Sequence, residues 1–237
     1  MDEHRTRSSP HHSTWSVLYR LIEPGGNLHP IEILPLYGCA LWWFCAVVTE
    51  VGPSPSLWCE ALRDAFLVNL AQQLILFAIV VQAPTFVTGR MSYVDIGWPT
   101  GVCLLGRTAF LSASDLRGRL IGAAAMAHGG RMAVGALYLL FPYTFKNGDL
   151  PRYHYAREKF VRHTGRPALW RLKQQHETLM QCFANSVVLA GPLLISATNP
   201  RPGLTAVERA GVLCWALSWA LESLADLQKA AFLEEAK

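Results

Sequence analysis

The apolar residues of this chain come in long blocks that are separated by polar segments. Each block holds about 18 to 22 residues, which at 1.5 Å per residue matches the ~30 Å hydrocarbon layer of a membrane. The pattern therefore predicts an all-α, polytopic transmembrane helical bundle of about six spans. The predicted spans are Ile31–Val48, Ala65–Phe86, Val94–Leu111, Leu120–Phe141, Thr178–Thr198 and a last helix that is apolar from Ala210 to Leu221.

Polar segments mark the limits of the bundle. Residues 1–30 are rich in His, Ser, Pro and Gly and predict a polar N-terminal tail, so the transmembrane domain is expected to cover residues 31–237. Thr205 and Glu208 form a capping-box pattern, which predicts the start of the last helix. Amide side chains in the second span are expected to face other helices, namely Asn69, Gln72 and Gln73.

The composition agrees with a lipid-facing surface. Hydrophobic residues make up 51% of the chain and charged residues only 16%, whereas soluble domains carry about 25% charged residues. The six cysteines show no metal-ligand spacing, so we expect small hydrophobic residues and neither a metal site nor a disulfide framework. Phosphate-binding glycine motifs and the common hydrolase motifs do not occur, which disfavours soluble nucleotide-binding folds.

The distribution of basic residues predicts the orientation. With six spans, fourteen Lys and Arg residues lie on the side of both termini and five on the other side. The positive-inside rule then places the long basic loop 142–176 in the cytoplasm. The host membrane is expected to be the endoplasmic reticulum of a eukaryote or the inner membrane of a bacterium. The basic and aromatic run Tyr153–Lys173 is explained by a solvated loop, by an amphipathic helix on anionic headgroups, or by contacts to cofactor phosphates. We expect membrane lipid as a partner and no nucleic acid.

Two carboxylates in the last helix need a partner. A charge at the bilayer centre costs ~2.5–3.5 kcal/mol, and Glu222 and Asp226 lie four residues apart on one helix face. Their repulsion predicts a cation or donor opposite them, a protonated carboxyl, or a hydrogen-bonding ligand such as a nucleotide cofactor. For Asp226 the alternative is that the helix has already reached the headgroups, where a charge costs little.

Two further charges of opposite sign lie in the third and fourth predicted spans. We expect Asp95 and Arg131 to form a buried ion pair that links these helices. The functional alternative is that Arg131 faces a cavity and binds an anionic ligand group. His128 lies three residues before Arg131, on the same side, and is expected to form a hydrogen bond within the bundle.

Several motifs resemble the uncharacterised membrane-protein branch of the steroid 5-alpha-reductase superfamily. Their order along residues 92–232 agrees with that branch, whereas the first ninety residues match only in being hydrophobic. The matching segments are Ser92-Tyr93-Val94-Asp95-Ile96-Gly97-Trp98, His128-Gly129-Gly130-Arg131, Asp149-Leu150-Pro151-Arg152-Tyr153, Gln181 with Pro192, and Glu222-Ser223-Leu224-Ala225-Asp226-Leu227-Gln228-Lys229.

The resemblance implies a polytopic enzyme that uses NADPH to reduce a carbon–carbon double bond in a steroid-like or other lipid substrate, with the hydride coming from the cofactor. It implies no particular catalytic residue. The residues that it places at the cofactor are Glu222, Asp226, Gln228 and Lys229. Those that it makes structural or ligand-facing are Asp95, Trp98, His128, Arg131, Arg152 and Tyr153.

The end of the chain departs from this family. The superfamily continues with a glycine-rich loop and an Arg-His-Pro-Asn-Tyr segment, and no Arg-His-Pro occurs among the 237 residues. We therefore expect either an incomplete enzyme or a shortened homologue without catalysis, and no reductase turnover by these residues alone. Two other classes stay open, namely a relative of membrane methyltransferases that use S-adenosylmethionine and a non-catalytic membrane scaffold.

Overall fold

The computed structural model describes residues 14–22, 60–139, 145–199 and 203–235, together with the single positions 38 and 41. These residues form helices and turns, and the described ranges contain no β-strand. The seven main helices are α1 (Thr14–Ile22), α2 (Glu60–Thr88), α3 (Val94–Leu111), α4 (Leu116–Leu139), α5 (Pro151–Thr164), α6 (Pro167–Thr198) and α7 (Ala206–Glu235).

Four of these helices are long and apolar enough to cross a membrane, namely α2, α4, α6 and α7. The all-α transmembrane bundle is thereby confirmed, but a count of about six spans is not. The first predicted span, Ile31–Val48, lies outside the described residues except for positions 38 and 41. The third, Val94–Leu111, is the helix α3 with the expected bounds, but it does not belong to the four.

Glycines bring α3 and α4 into close contact. A Cβ atom added to Gly106 would lie 2.6 Å from the backbone nitrogen of Met126, and one added to Gly129 would lie 2.6 Å from the carbonyl oxygen of Pro99. Only residues without a side chain permit backbones to approach so closely, as in small-residue crossings of membrane helices. The pairing of early α3 with late α4 also shows that the two helices are antiparallel.

Buried amide groups join α2, α3 and α6 in the middle of the bundle. Gln73 donates to the carbonyl of Gly101 at 2.8 Å, and Asn185 donates to the carbonyl of Trp98 at 2.9 Å. Asn69 donates to backbone carbonyls of α6 at 3.4 and 3.5 Å. The expectation that the amides of the second span face other helices is confirmed, because apolar surroundings make an unpaired amide costly.

The last helix, α7, lies alongside α4 and exposes most of its side chains. Arg117 at the start of α4 binds Glu208 at the start of α7 at 2.5 Å. Fourteen residues further along both helices, Arg131 binds Glu222 at 2.8 Å. Since the second pair lies fourteen residues beyond the first in both helices, α4 and α7 run parallel and in one register.

At the start of α7 the predicted capping box is confirmed, since Thr205 and Glu208 each donate a backbone N–H to the other's side chain, at 2.7 and 3.2 Å.

Candidate functional site

The side chain of Arg131 binds two carboxylates of α7. Its Nη2 lies 2.8 Å from Oε1 of Glu222, and its Nη1 lies 2.5 Å from Oδ2 of Asp226. The predicted cation opposite these stacked carboxylates is therefore present. The predicted pair between Asp95 and Arg131 is wrong, because Arg131 points across to α7 and Asp95 points toward α5.

The local sequence explains this arrangement. Glu222 and Asp226 are one helical turn apart, so their carboxylates project side by side from α7. A guanidinium group carries several N–H donors in one plane and can bind both at once, which removes most of their mutual repulsion. The side chain of Arg131 is only 18% exposed, whereas those of Glu222 and Asp226 are 50% and 68% exposed. The group is thus fixed on the α4 side and open on the α7 side.

Two buried N–H groups near the carboxylates of Glu222 and Asp226 have no hydrogen-bond acceptor within the described part of the chain. They are Nε of Arg131 and Nε1 of Trp219, which lies one turn before Glu222. The ring of Trp219 is stacked on that of Trp215 at 6.2 Å. We name Arg131, Trp219, Glu222 and Asp226 the α4–α7 polar group. It combines free donors with half-exposed carboxylate acceptors, so it can bind a ligand that has hydroxyl, amide or anionic groups.

The other cofactor residues implied by the resemblance lie near this group in sequence. Gln228 and Lys229 are exposed on α7, beyond Asp226. Lys229 shares the face of Glu222 and Asp226 by helical spacing, and Gln228 does not. On α4, His128 lies one turn before Arg131 and is partly exposed. Its expected hydrogen bond within the bundle stays a prediction.

Asp95 belongs to a second cluster, at the start of α3. Its Oδ1 accepts hydrogen bonds from the Tyr153 hydroxyl at 2.9 Å and from the Arg152 guanidinium. The guanidinium also lies over the Tyr153 ring, 4.9 Å from its centroid. Burial and the neighbouring Asp95 raise the pKa of Tyr153, so this side chain is a neutral hydrogen-bond donor at physiological pH. Arg152 and Tyr153 thus bind Asp95, and the family resemblance implies a structural or ligand-facing role for all three residues.

Asp149, which belongs to a matching segment but received no predicted role, supports this cluster. Asp149 accepts hydrogen bonds from the backbone N–H groups of Met91 at 2.7 Å and of Ser92 at 3.0 Å, and from the Ser92 hydroxyl. Its carboxylate thereby satisfies two of the free N–H groups at the start of the helical segment that leads into α3. The sequence signal was Pro151, because proline is typical of the first position of a helix and so marks the start of α5 two residues after Asp149.

Trp98 lies on the core side of α3. It packs against the cluster of Phe77, Val81, Val94 and Cys182, and its carbonyl accepts the hydrogen bond from Asn185. Because α3 and α4 are antiparallel, the start of α3 lies beside the end of α4, so the Asp95 cluster and the α4–α7 polar group occupy the same half of the bundle. Within the described ranges, no three His, Cys, Asp or Glu side chains come together in a way that could hold a metal ion.

Residues 66–237 match the family described as protein of unknown function, DUF1295. The chain belongs to this family. The match covers far more than half of the chain and includes both polar clusters as well as all the motifs on which the resemblance rests. No curated protein matches the chain, and no solved structure does. DUF1295 membership thus comes with a helical membrane bundle and with no assigned activity.

Proposed function

We propose that this DUF1295 protein is a relative of membrane-embedded, NADPH-dependent reductases, which act on a carbon–carbon double bond of a lipid or steroid-like substrate, and that it binds the same cofactor. The observation that carries the proposal is the α4–α7 polar group, in which Arg131 holds Glu222 and Asp226 together between apolar helices. The motif resemblance to the steroid 5-alpha-reductase superfamily supports the same assignment. A purely structural ion pair would not need a second carboxylate or two unpaired donors.

The chemistry of these residues fits a dinucleotide. Ribose hydroxyls and a carboxamide are donors that carboxylates accept, so Glu222 and Asp226 suit those parts of the cofactor. Nε of Arg131 and Nε1 of Trp219 have no acceptor in the described part of the chain, and both suit carbonyl or phosphate oxygens. Lys229 is exposed on the same face of α7 and suits a phosphate group. When bound, the cofactor supplies the hydride, and the apolar helices exclude water from the transfer.

Replacement of Asp226 by Ala should weaken NADPH binding by ~1–3 kcal/mol, because a charged hydrogen bond is lost. The measurement is energy transfer from tryptophan to NADPH in the protein purified in detergent, for which Trp215 and Trp219 are near donors. The control is Glu235→Ala, which removes a carboxylate from an exposed position on the opposite face of α7. Asp226→Glu should recover part of the affinity, and a thermal melt of each variant shows whether α7 is still folded.

Unchanged NADPH affinity in a folded Asp226→Ala variant would contradict the assignment of this residue. The same titration with S-adenosylmethionine tests the methyltransferase alternative. Saturable binding of S-adenosylmethionine that depends on Asp226, without binding of NADPH, would replace the reductase proposal. Binding of neither compound would favour a non-catalytic membrane protein.

A further inference from the structure

Two short helices, α1 and α5, lie together at one end of the bundle. This end is where α2 and α4 finish and where α3 and α6 begin. The contact is made by Met91, Phe160 and Trp170, which form a buried cluster with Leu21 of α1. Lys173 in α6 also donates to the carbonyl of Leu21 at 3.2 Å. Because the membrane-crossing helices begin or end here, α1 and α5 lie at the level of the lipid headgroups.

The helix α1 exposes an apolar face in addition to the one that it buries. Val17 and Leu21 pack against the bundle, whereas Trp15 is 79% exposed and Leu18 and Tyr19 are also exposed. The spacing of Trp15, Leu18 and Tyr19 puts them on one side of the helix. We name these three residues the anchor face. Tryptophan and tyrosine are enriched at the boundary between water and membrane, where an aromatic ring is partly immersed.

The helix α5, which packs against α1, exposes a basic face. Tyr155, Lys159 and Arg162 follow one another at intervals of four and three residues, so they share one side. The opposite side holds the buried Phe160 and Thr164. We name the first three residues the basic face. The whole helix carries four Lys and Arg residues and one acidic residue, Glu158.

Three other basic side chains at this end bind protein groups. Arg152 binds Asp95, Arg171 donates to the carbonyl of Phe86 at 2.8 Å, and Lys173 binds Glu177 at 2.7 Å. Lys159 and Arg162 are instead exposed, so the positive charge of the basic face is directed outward. A basic helix that packs against a helix with an exposed aromatic anchor fits a membrane surface better than it fits free solvent.

We propose that α1 and α5 form a platform that binds anionic phospholipid headgroups of the membrane leaflet at this end of the bundle. Trp15, Leu18 and Tyr19 enter the boundary between headgroups and acyl chains. Lys159 and Arg162 bind the lipid phosphates, and Tyr155 lies next to them on the same face of α5, at the headgroups. This surface is separate from the α4–α7 polar group and does not depend on any enzymatic activity.

The test uses the purified protein in detergent and two pyrene-labelled lipids, phosphatidylglycerol and phosphatidylcholine. Energy transfer from tryptophan to pyrene measures the relative affinity, and Trp15 is a donor on the platform itself. The wild-type protein should prefer phosphatidylglycerol. In K159Q/R162Q the preference for phosphatidylglycerol should fall at least about fivefold, because each basic residue near an anionic surface raises the affinity by about that factor.

Two control proteins separate this platform from a general effect of net charge. R119Q/R209Q removes the same charge from exposed positions at the other end of the bundle, where α4 and α7 begin, and should keep the wild-type preference. K159R/R162K keeps the charge and should also keep the preference. A preference that survives in K159Q/R162Q would overturn the proposal. An equal loss in R119Q/R209Q would do so as well, because the attraction would then be non-specific.

Discussion

Arg131 binds two carboxylates with a single side chain. In Arg131→Gln, Glu222 and Asp226 would face each other without a cation, and we expect the free energy of unfolding to fall by about 1–3 kcal/mol. Unfolding by sodium dodecyl sulfate in mixed micelles measures this change. Arg119→Gln, which removes an exposed arginine from the same helix, should have little effect.

A double variant decides whether these residues act as a unit. Arg131→Gln combined with Asp226→Asn should cost less than the sum of the two single variants, because the second change removes a charge that the first left unpaired. Additive losses would show that the guanidinium and the carboxylate do not stabilise each other.

Single residues were identified from the sequence more reliably than their partners were. The two carboxylates on one face of an apolar helix required a cation, and the structure places Arg131 there. Asp95 was also identified as a charge that needs a partner. The predicted partner, Arg131, was wrong, because the sequence of a helix does not determine how the helix is rotated relative to neighbouring helices. Arg152, which does bind Asp95, lies in a segment outside the apolar blocks.

At the scale of helices, the close crossing of α3 and α4 depends on glycine. In Gly106→Ala, the new methyl group would lie 2.6 Å from the backbone nitrogen of Met126, so the helices would have to separate. We expect a loss of about 1–3 kcal/mol in the free energy of unfolding, measured in mixed micelles.

Gly135 provides a matched control on α4. An added Cβ atom there meets no other atom within 4 Å, so Gly135→Ala should be neutral or raise the stability by about 0.5–1 kcal/mol, since alanine favours a helix. Equal destabilisation by both substitutions would show that the loss at Gly106 does not come from the crossing.

Helix bounds were predictable where the boundary has a local cause. α3 has the predicted limits, and the last helix begins at the predicted capping box. The fifth predicted span began at Thr178, but α6 begins at Pro167. Its first turns are polar, and residues such as Gln174 and Lys173 are buried against neighbouring segments. The hydropathy pattern identifies only the apolar, lipid-facing part of such a helix. It does not show the polar turns that are held in the helix by contacts with neighbouring segments.

For the whole molecule, the apolar surface predicts a requirement for detergent or lipid. The candidate membrane-crossing helices expose large side chains such as Leu74, Ile79, Val134 and Leu221 over much of their length. Exposed apolar area of this extent associates in water. Size-exclusion chromatography should therefore show aggregation in buffer and a single species in detergent. A monodisperse protein in plain buffer would contradict the transmembrane bundle.

The equal spacing of the arginines on α4 and the glutamates on α7 has a consequence for biogenesis. Glu208 is made 91 residues after Arg117, so α4 enters the membrane before the acidic side chains that pair with it. Until α7 leaves the ribosome, the guanidinium groups of α4 must be satisfied by water, headgroups or nearby residues. Since both pairs form in a single register, the arrival of the last helix completes them together. The stable packing of α4 against α7 is then expected only after α7 has been synthesised.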